Sequence, residues 1–270
     1  VEKATEDVHI KDSDDTTWGS DLPSTDPCNH LFGRPTKNTN LSDDMCKPFF
    51  DCEGVSFVAP TYSQDDLDWL ETRVHLNPPD ELLQNPYDHP EQYPNEEGKF
   101  CGLLFQDKEK TSYTLQTFDS MGDLEKEGAR LTHSGACGHC SSLRNLAVYI
   151  ENSELTGPVK SCATKGILLG AESTIKCLMN IGFDRPCAKV WYYNTLNTRS
   201  ECMGKCLNDF FESKYHNPDG SLNDCIQCDE DKSGPVFKAT SGRTRRNSGI
   251  PTALCRPCNT VTPVFHAYRD

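Results

Sequence analysis

The stretch His133-Ser134-Gly135-Ala136-Cys137-Gly138-His139-Cys140-Ser141-Ser142-Leu143-Arg144-Asn145-Leu146-Ala147-Val148-Tyr149-Ile150 decides the fold class. Its first half is small, polar or sulfur-bearing. Its second half sets Leu143, Leu146, Ala147 and Ile150 on one face at helical spacing. A cysteine-pinned turn therefore feeds an amphipathic helix. On its N-terminal side, Phe100 to Phe105 and Tyr113 to Phe118 are apolar and β-prone, and Asp107-Lys108-Glu109-Lys110 between them predicts a hairpin. On its C-terminal side, residues 141–215 read as short helices. Pro158 opens one piece and Gly170 closes it; Gly182 stops a second lined by Ile175, Leu178 and Met179; Asp184 with Pro186 starts a third; Asn197 or Thr198 caps a last. Beyond residue 220 the helical periodicity fades, and loops with short strands are expected. The fold class is α+β and disulfide-rich, with β-hairpin elements and a helical, disulfide-laced middle.

Composition points the same way. Of 270 residues, 35% are hydrophobic with 15 Cys included; without the cysteines about 30% remains, a small apolar share for a soluble domain. Disulfides supply the missing constraint, each typically contributing about 2–4 kcal/mol. Such cysteine density belongs to oxidising compartments, so a secreted, extracellular protein is expected, and a chain that opens at Val1 suits a mature form. The net charge of −14 argues against a generic nucleic-acid or anionic-membrane binder, and no apolar run approaches the roughly 20 residues of a membrane span.

Three segments are expected. Residues 1–27 form an acidic extended arm carrying −6 of the charge, with Glu2, Glu6, Asp7, Asp12, Asp14, Asp15, Asp21 and Asp26 against Lys3 and Lys11. Residues 28–94 are loop-rich, pinned by Cys28, Cys46 and Cys52, and close with the proline-rich connection 77–94. Ser63 with Asp66 marks a helix start there, and Val55 to Val58 alternate like a short strand. Residues 95–270 form the main α+β domain. Asn40-Leu41-Ser42 is an N-glycosylation sequon in the second segment.

Spacing leaves the connectivity open. Cys137/Cys140, Cys225/Cys228 and Cys255/Cys258 are Cys-x-x-Cys pairs. Cys202 and Cys206, four apart on a helix, are expected to bond elsewhere, with Cys162, Cys177 and Cys187 as natural partners. Cys225, Cys228, Cys255 and Cys258 are also a candidate zinc Cys₄ set, the minority alternative to disulfides. An odd total leaves at least one cysteine free, bridged to another chain, or modified.

Cys137-Gly138-His139-Cys140 resembles the redox motif of protein disulfide isomerases. Gly135, Cys137, Gly138 and Cys140 are also similar to the turn that opens the central helix of papain-like cysteine proteases. That resemblance implies Cys140 as nucleophile, Cys137 as a disulfide partner and His266 as base, although Ser134 and Ser141 stand where that family has Gln and Trp. A thiol at a helix N-terminus gains thiolate character from the dipole. The structural alternative is two half-cystines fixing a tight turn.

Gly242-Arg243-Thr244-Arg245-Arg246-Asn247-Ser248-Gly249 is the dense basic run of an acidic chain. As an exposed loop, its Arg243, Arg245 and Arg246 would grip carboxylates or sulfates, including the acidic arm of another copy. Asn217-Pro218-Asp219-Gly220 reads as a turn, since Tyr215 and Ile226 stand where a calcium loop needs carboxylates. The leading functional expectation is a non-catalytic structural or adhesive protein that self-assembles through its arm or binds other extracellular matrix components, without a cofactor. A thiol enzyme (cysteine hydrolase or thiol-disulfide oxidoreductase) built on Cys140 or the Cys137/Cys140 pair is the alternative, and an anionic-glycan-binding module the third.

Overall fold

A computed structural model describes residues 30–52, 54–94, 97–207 and 214–269. The acidic arm 1–27 and Cys28 lie outside them. In chain order the elements are β1 (Leu31–Phe32), β2 (Cys46–Lys47), β3 (Phe49–Cys52), β4 (Val55–Val58), α1 (Gln64–Glu71), β5 (Val74–His75), β6 (Phe100–Phe105), β7 (Ser112–Phe118), α2 (Met121–Lys126), β8 (Arg130–Ser134), α3 (Leu143–Glu151), α4 (Thr156–Leu169), α5 (Ala171–Asn180), α6 (Arg185–Cys206), α7 (Asp224–Lys232) and α8 (Gly234–Ser241). This is an α+β, disulfide-rich fold. Its main sheet has the order β5-β7-β6-β8, in which β6 pairs antiparallel with both β7 and β8.

Local chemistry accounts for several boundaries. The Ser63 side chain accepts from the Asp66 backbone N–H, and the Asp66 carboxylate accepts in return from Ser63 N, which starts α1. Ser142 caps α3 through Asn145 N at 3.2 Å. Asp184 accepts from Cys187 N at 3.0 Å and Pro186 stands in the first turn of α6. The centre of the molecule is α3, whose Leu143, Leu146, Ala147, Val148 and Tyr149 are all buried. They pack with Leu103 and Tyr113 of the sheet and with Leu178, Phe183 and Val190. Full burial of each such aliphatic or aromatic side chain contributes about 1.5–3 kcal/mol.

Contacts and disulfides cross the proline-rich connection 77–94. Leu67, Leu70 and Leu82 share the α3 core, and disulfides Cys46–Cys255 and Cys52–Cys258 fasten the early loops to the end of the chain. The described residues on either side of the connection thus share one core and two disulfides.

Two sequence expectations for the helices are revised. No cap interrupts α6 at Asn197 or Thr198, because both side chains serve a neighbour instead. Asn197 Nδ2 donates to Ser233 Oγ at 3.1 Å, and the Thr198 hydroxyl bonds the Asn194 carbonyl and Asp229 of α7. Residues beyond 220 include two helices rather than only loops and strands. Helix α7 is too polar to announce itself by apolar periodicity. It is held by Cys202–Cys228 and Cys206–Cys225, so Cys202 and Cys206 pair with α7 and not with Cys162, Cys177 or Cys187. Cys162 and Cys177 pair with each other, and Cys187 with Cys140.

Burial, reinforced by the charge of Glu230, raises the Asp229 carboxyl above its usual range. A carboxyl raised in the folded state holds its proton more tightly there. Its contribution to stability therefore falls as pH rises through the interval between the unfolded and folded values. Asp229→Asn keeps an acceptor for Thr198 and removes the charge. It is expected to raise stability by about 0.5–1 kcal/mol at neutral pH and to give no gain at acidic pH, as read from urea unfolding at the two pH values.

Candidate functional site

Strand β8 delivers the chain to Gly135, whose φ of 89° turns it into the Cys137–Cys140 segment. Cys137 is bonded to Cys101 of β6, and Cys140 to Cys187 in the first turn of α6. Cys101, Cys140 and Cys187 are fully buried. A nucleophilic or redox-cycling cysteine must present a thiolate, and these sulfurs are committed to partners on other elements. Cys137 and Cys140, expected as a thiol pair or as nucleophile and partner, are thus bonded to two other elements and not to each other. His266 is no base for Cys140 either. Its Nδ1 meets the Tyr268 hydroxyl at 2.9 Å and its Nε2 the Ser248 carbonyl at 2.8 Å. Burial, with the Arg243 charge adding, pushes its imidazole down to about 3.

The arginine run is not an exposed loop. It packs directly on the Cys137–Cys140 turn, glycine against glycine. A Cβ on Gly138 would stand 2.5 Å from Gly242 N, and one on Gly242 would stand 2.4 Å from Gly138 N. His139 N donates to Thr240 O at 3.0 Å and Cys140 N to Ser241 O at 2.8 Å. The two most pointed segments of the sequence are therefore each other's structural partners, although Gly138 and Gly242 are 104 positions apart in the chain.

Each arginine of that run is spent internally. Arg243, fully buried, donates to Thr132 O and Ser141 O at 2.9 Å each, and to Cys140 O and Ser248 Oγ at 3.3 Å each. It also donates to Thr132 Oγ1. Burial lowers its guanidinium to about 10. Arg245 lies over the Tyr149 ring and donates to Tyr149 O and Asn152 O, carbonyls at the C-terminal end of α3 where a cation complements the helix dipole. Arg246 and Arg256 clamp Glu230 from both sides at 2.5 Å. Arg243, Arg245 and Arg246, expected in an exposed loop, instead direct these donors to carbonyls, hydroxyls and one carboxylate of their own chain. The type and density of these arginines are plain in the sequence, but most of their acceptors sit on β8, the Cys137–Ser142 turn, the end of α3 and α7.

The zinc alternative fails for a similar reason. Cys225, Cys228, Cys255 and Cys258 bond to Cys206, Cys202, Cys46 and Cys52, four different partners. No thiolate of that set is left to ligate.

One pairing has no sequence signal. Ser141 Oγ lies 2.7 Å from His133 Nε2, while His133 Nδ1 bonds Ser134 O at 2.9 Å and Gly138 N donates to Ser141 Oγ at 2.8 Å. The geometry matches a serine activated by an oriented imidazole. Both side chains are fully buried, however, and the Ser141 oxygen already receives a backbone N–H, so the pair locks the turn and offers no oxygen to a substrate.

What the surface offers lies elsewhere. A cleft of about 320 Å³ opens beside the C-terminal end of α3, with Pro60, Tyr62, Leu67, Ile150, Ile250 and Pro251 in its walls and Arg34 and Glu151 beside them. At the far end of α4, Ile167, Leu168 and Leu169 are 60%, 87% and 71% exposed in succession. Asn40, the sequon residue, stands partly exposed at a φ of 63° and donates to His216 O at 2.9 Å. Among the described residues no helix is long and apolar enough to cross a membrane. A family of unknown function, DUF8771, matches residues 171–264, from the start of α5 past the arginine run to Val264. No curated protein matches the chain, and no solved structure matches it.

Proposed function

We propose that this chain is a secreted, disulfide-fixed structural protein that works by non-covalent contact with copies of itself or other extracellular matrix components. One observation carries the reading. All fourteen described cysteines are in disulfides, which join positions 15 to 209 residues apart and include both cysteines of the motif that suggested an enzyme. A scaffold cross-linked in this way presents a fixed surface, and its conspicuous arginines and cysteines serve that rigidity. The acidic arm 1–27 adds a second route to assembly: its charge of −6 favours a basic surface on a neighbouring copy, and the contact weakens as salt screens it.

The test uses protein purified from its natural source. Peptide mapping without reduction is expected to recover these seven cystines, with a glycan on Asn40. Recovery of the chain with free thiols from a reducing compartment defeats the reading. Light scattering is expected to show multimers of the full chain that diminish on deletion of residues 1–27.

A further inference from the structure

We infer that the strap formed by residues 261–269 is an acid-released latch: a proton taken up by His266 detaches it, while the cystine-bound body beneath stays folded. No cysteine follows Cys258 in the sequence, and Cys258 is bonded to Cys52. Beyond that bridge the strap is held by non-covalent contacts alone. It belongs to no sheet, yet its side chains alternate as in a strand. Val264, His266 and Tyr268 are buried, whereas Phe265, Ala267 and Arg269 face outward.

The strap reaches four parts of the body. Thr262 N donates to Arg246 O at 2.9 Å, Arg130 to Ala267 O at 2.7 Å and Lys110 to Tyr268 O at 3.0 Å, and Arg269 bonds Asp66 of α1 at 3.0 Å. Of the three inward anchors, only His266 changes charge in acid. Its Nε2 faces the Ser248 carbonyl, an acceptor, so Nε2 carries the hydrogen of the neutral ring. Nδ1 then accepts from the Tyr268 hydroxyl, which also reaches Leu131 O at 3.1 Å. A proton on Nδ1 would find the Tyr268 oxygen as its acceptor, so hydrogen bonding does not bar the charged ring.

Burial and charge do. The titratable groups around the ring are Arg243 of the arginine run, His133 of β8, Tyr62 ahead of α1 and Tyr268 of the strap itself. None is a carboxylate, and Arg243 is a fully buried cation. A second positive charge there has no counter-ion, whereas water solvates it once the strap is detached. These causes, burial first, lower the attached imidazole to about 3. Attachment is therefore strongest above the ordinary histidine value of about 6.5 and weakens as pH falls below it. The detached population grows about tenfold per pH unit in that interval, roughly 100-fold from pH 7.4 to 4.5. The Arg269–Asp66 tie persists, because hydrogen bonds from Ser63, ahead of the Arg269 contact, hold the Asp66 carboxyl below its usual range. Release also frees Tyr62, a wall of the cleft beside α3, whose hydroxyl accepts from His266 N at 3.4 Å.

Hydrogen exchange followed by mass spectrometry on the full, disulfide-bonded chain tests the latch, with rates corrected for intrinsic exchange at each pH. Peptides covering 259–269 are expected to lose protection roughly 100-fold from pH 7.4 to 4.5, with a slope of about one proton. Peptides from α3 and β6 are expected to stay protected at both values. His266→Gln keeps an N–H for Ser248 O and never charges. In that variant the strap's protection is expected to be flat across the interval, whatever its level at pH 7.4. If the variant does not fold, the wild-type slope decides alone, since a slope of two brings in His133 and overturns the inference. Protection lost in α3 together with the strap overturns it too, because acid then unfolds the whole body. So does a strap unmoved by acid, or one that responds equally in the glutamine variant. None of these outcomes depends on assembly, so the proposed function stands or falls separately.

Discussion

Reduction by a strong thiol is expected to unfold the described body at ambient temperature and to erase its cooperative thermal transition. Among the described residues seven bridges tie the chain, two of them across more than 200 residues. Loss of one native bridge typically costs about 2–5 kcal/mol, against a net stability of about 5–15 kcal/mol for a folded domain. Even with strong non-additivity the sum exceeds what the core holds in reserve. Helix α7, polar and anchored by two cystines, should be released first. Near-ultraviolet circular dichroism and the fluorescence of Trp191, packed on Phe237 at 4.7 Å, report the change. Chelators should leave both signals unaltered. A reduced chain that still melts cooperatively would show that the hydrophobic core suffices.

Arg243→Met is expected to cost about 3–5 kcal/mol, the range for removing one member of a buried, hydrogen-bonded charged network. The loss comes from what stays behind: Thr132 O, Ser141 O and Cys140 O lose their donor inside the protein, and methionine supplies none. Arg243→Lys keeps the charge but offers three donors where five stood, so its cost should be intermediate. Chemical denaturation measures both, and a loss below about 1 kcal/mol for the methionine variant would contradict the assignment. Acid provides a further readout. His133 is held well below the ordinary histidine range by burial, with the Arg243 charge adding, and His266 is pushed down to about 3 by the same causes. The unfolded chain then binds more protons than the folded one. Stability is fully present above about pH 6.5, the unperturbed histidine value, and is lost as pH falls from there toward the folded values. Without the neighbouring guanidinium, the methionine variant should lose stability less steeply over that interval.

How much was legible in the sequence depends on where the partners of each residue sit. The capping box at Ser63, the hairpin of β6 and β7 and the start of α6 at Asp184 and Pro186 are set by signals short in sequence. The helices of the middle were legible from their own spacing and caps, whereas the partners of their cysteines, 15 to 47 residues away, were not. Helix α7 was not, because what holds it is two bonds to α6 and not an apolar face. The Cys137–Cys140 turn and the arginine run both stood out as unusual, yet their meaning emerges only when Gly138 meets Gly242. An arginine is ordinarily on the surface. Nothing within a few residues of Arg243 reveals that its acceptors come from residues 132, 140 and 141.

The cystines that join the two ends of the chain also impose a timetable. Cys46 and Cys52 cannot meet Cys255 and Cys258 until some 206 to 209 further residues have been made. At roughly 5–20 residues per second of synthesis, that is a wait of about 10–40 seconds. During it, Cys101, Cys137 and Cys140 emerge beside the waiting thiols. Early wrong pairs must then be undone by thiolate attack through mixed disulfides. The yield of native protein should therefore follow the isomerase capacity of the host, and a chain stopped before Cys255 should accumulate as scrambled, cross-linked species.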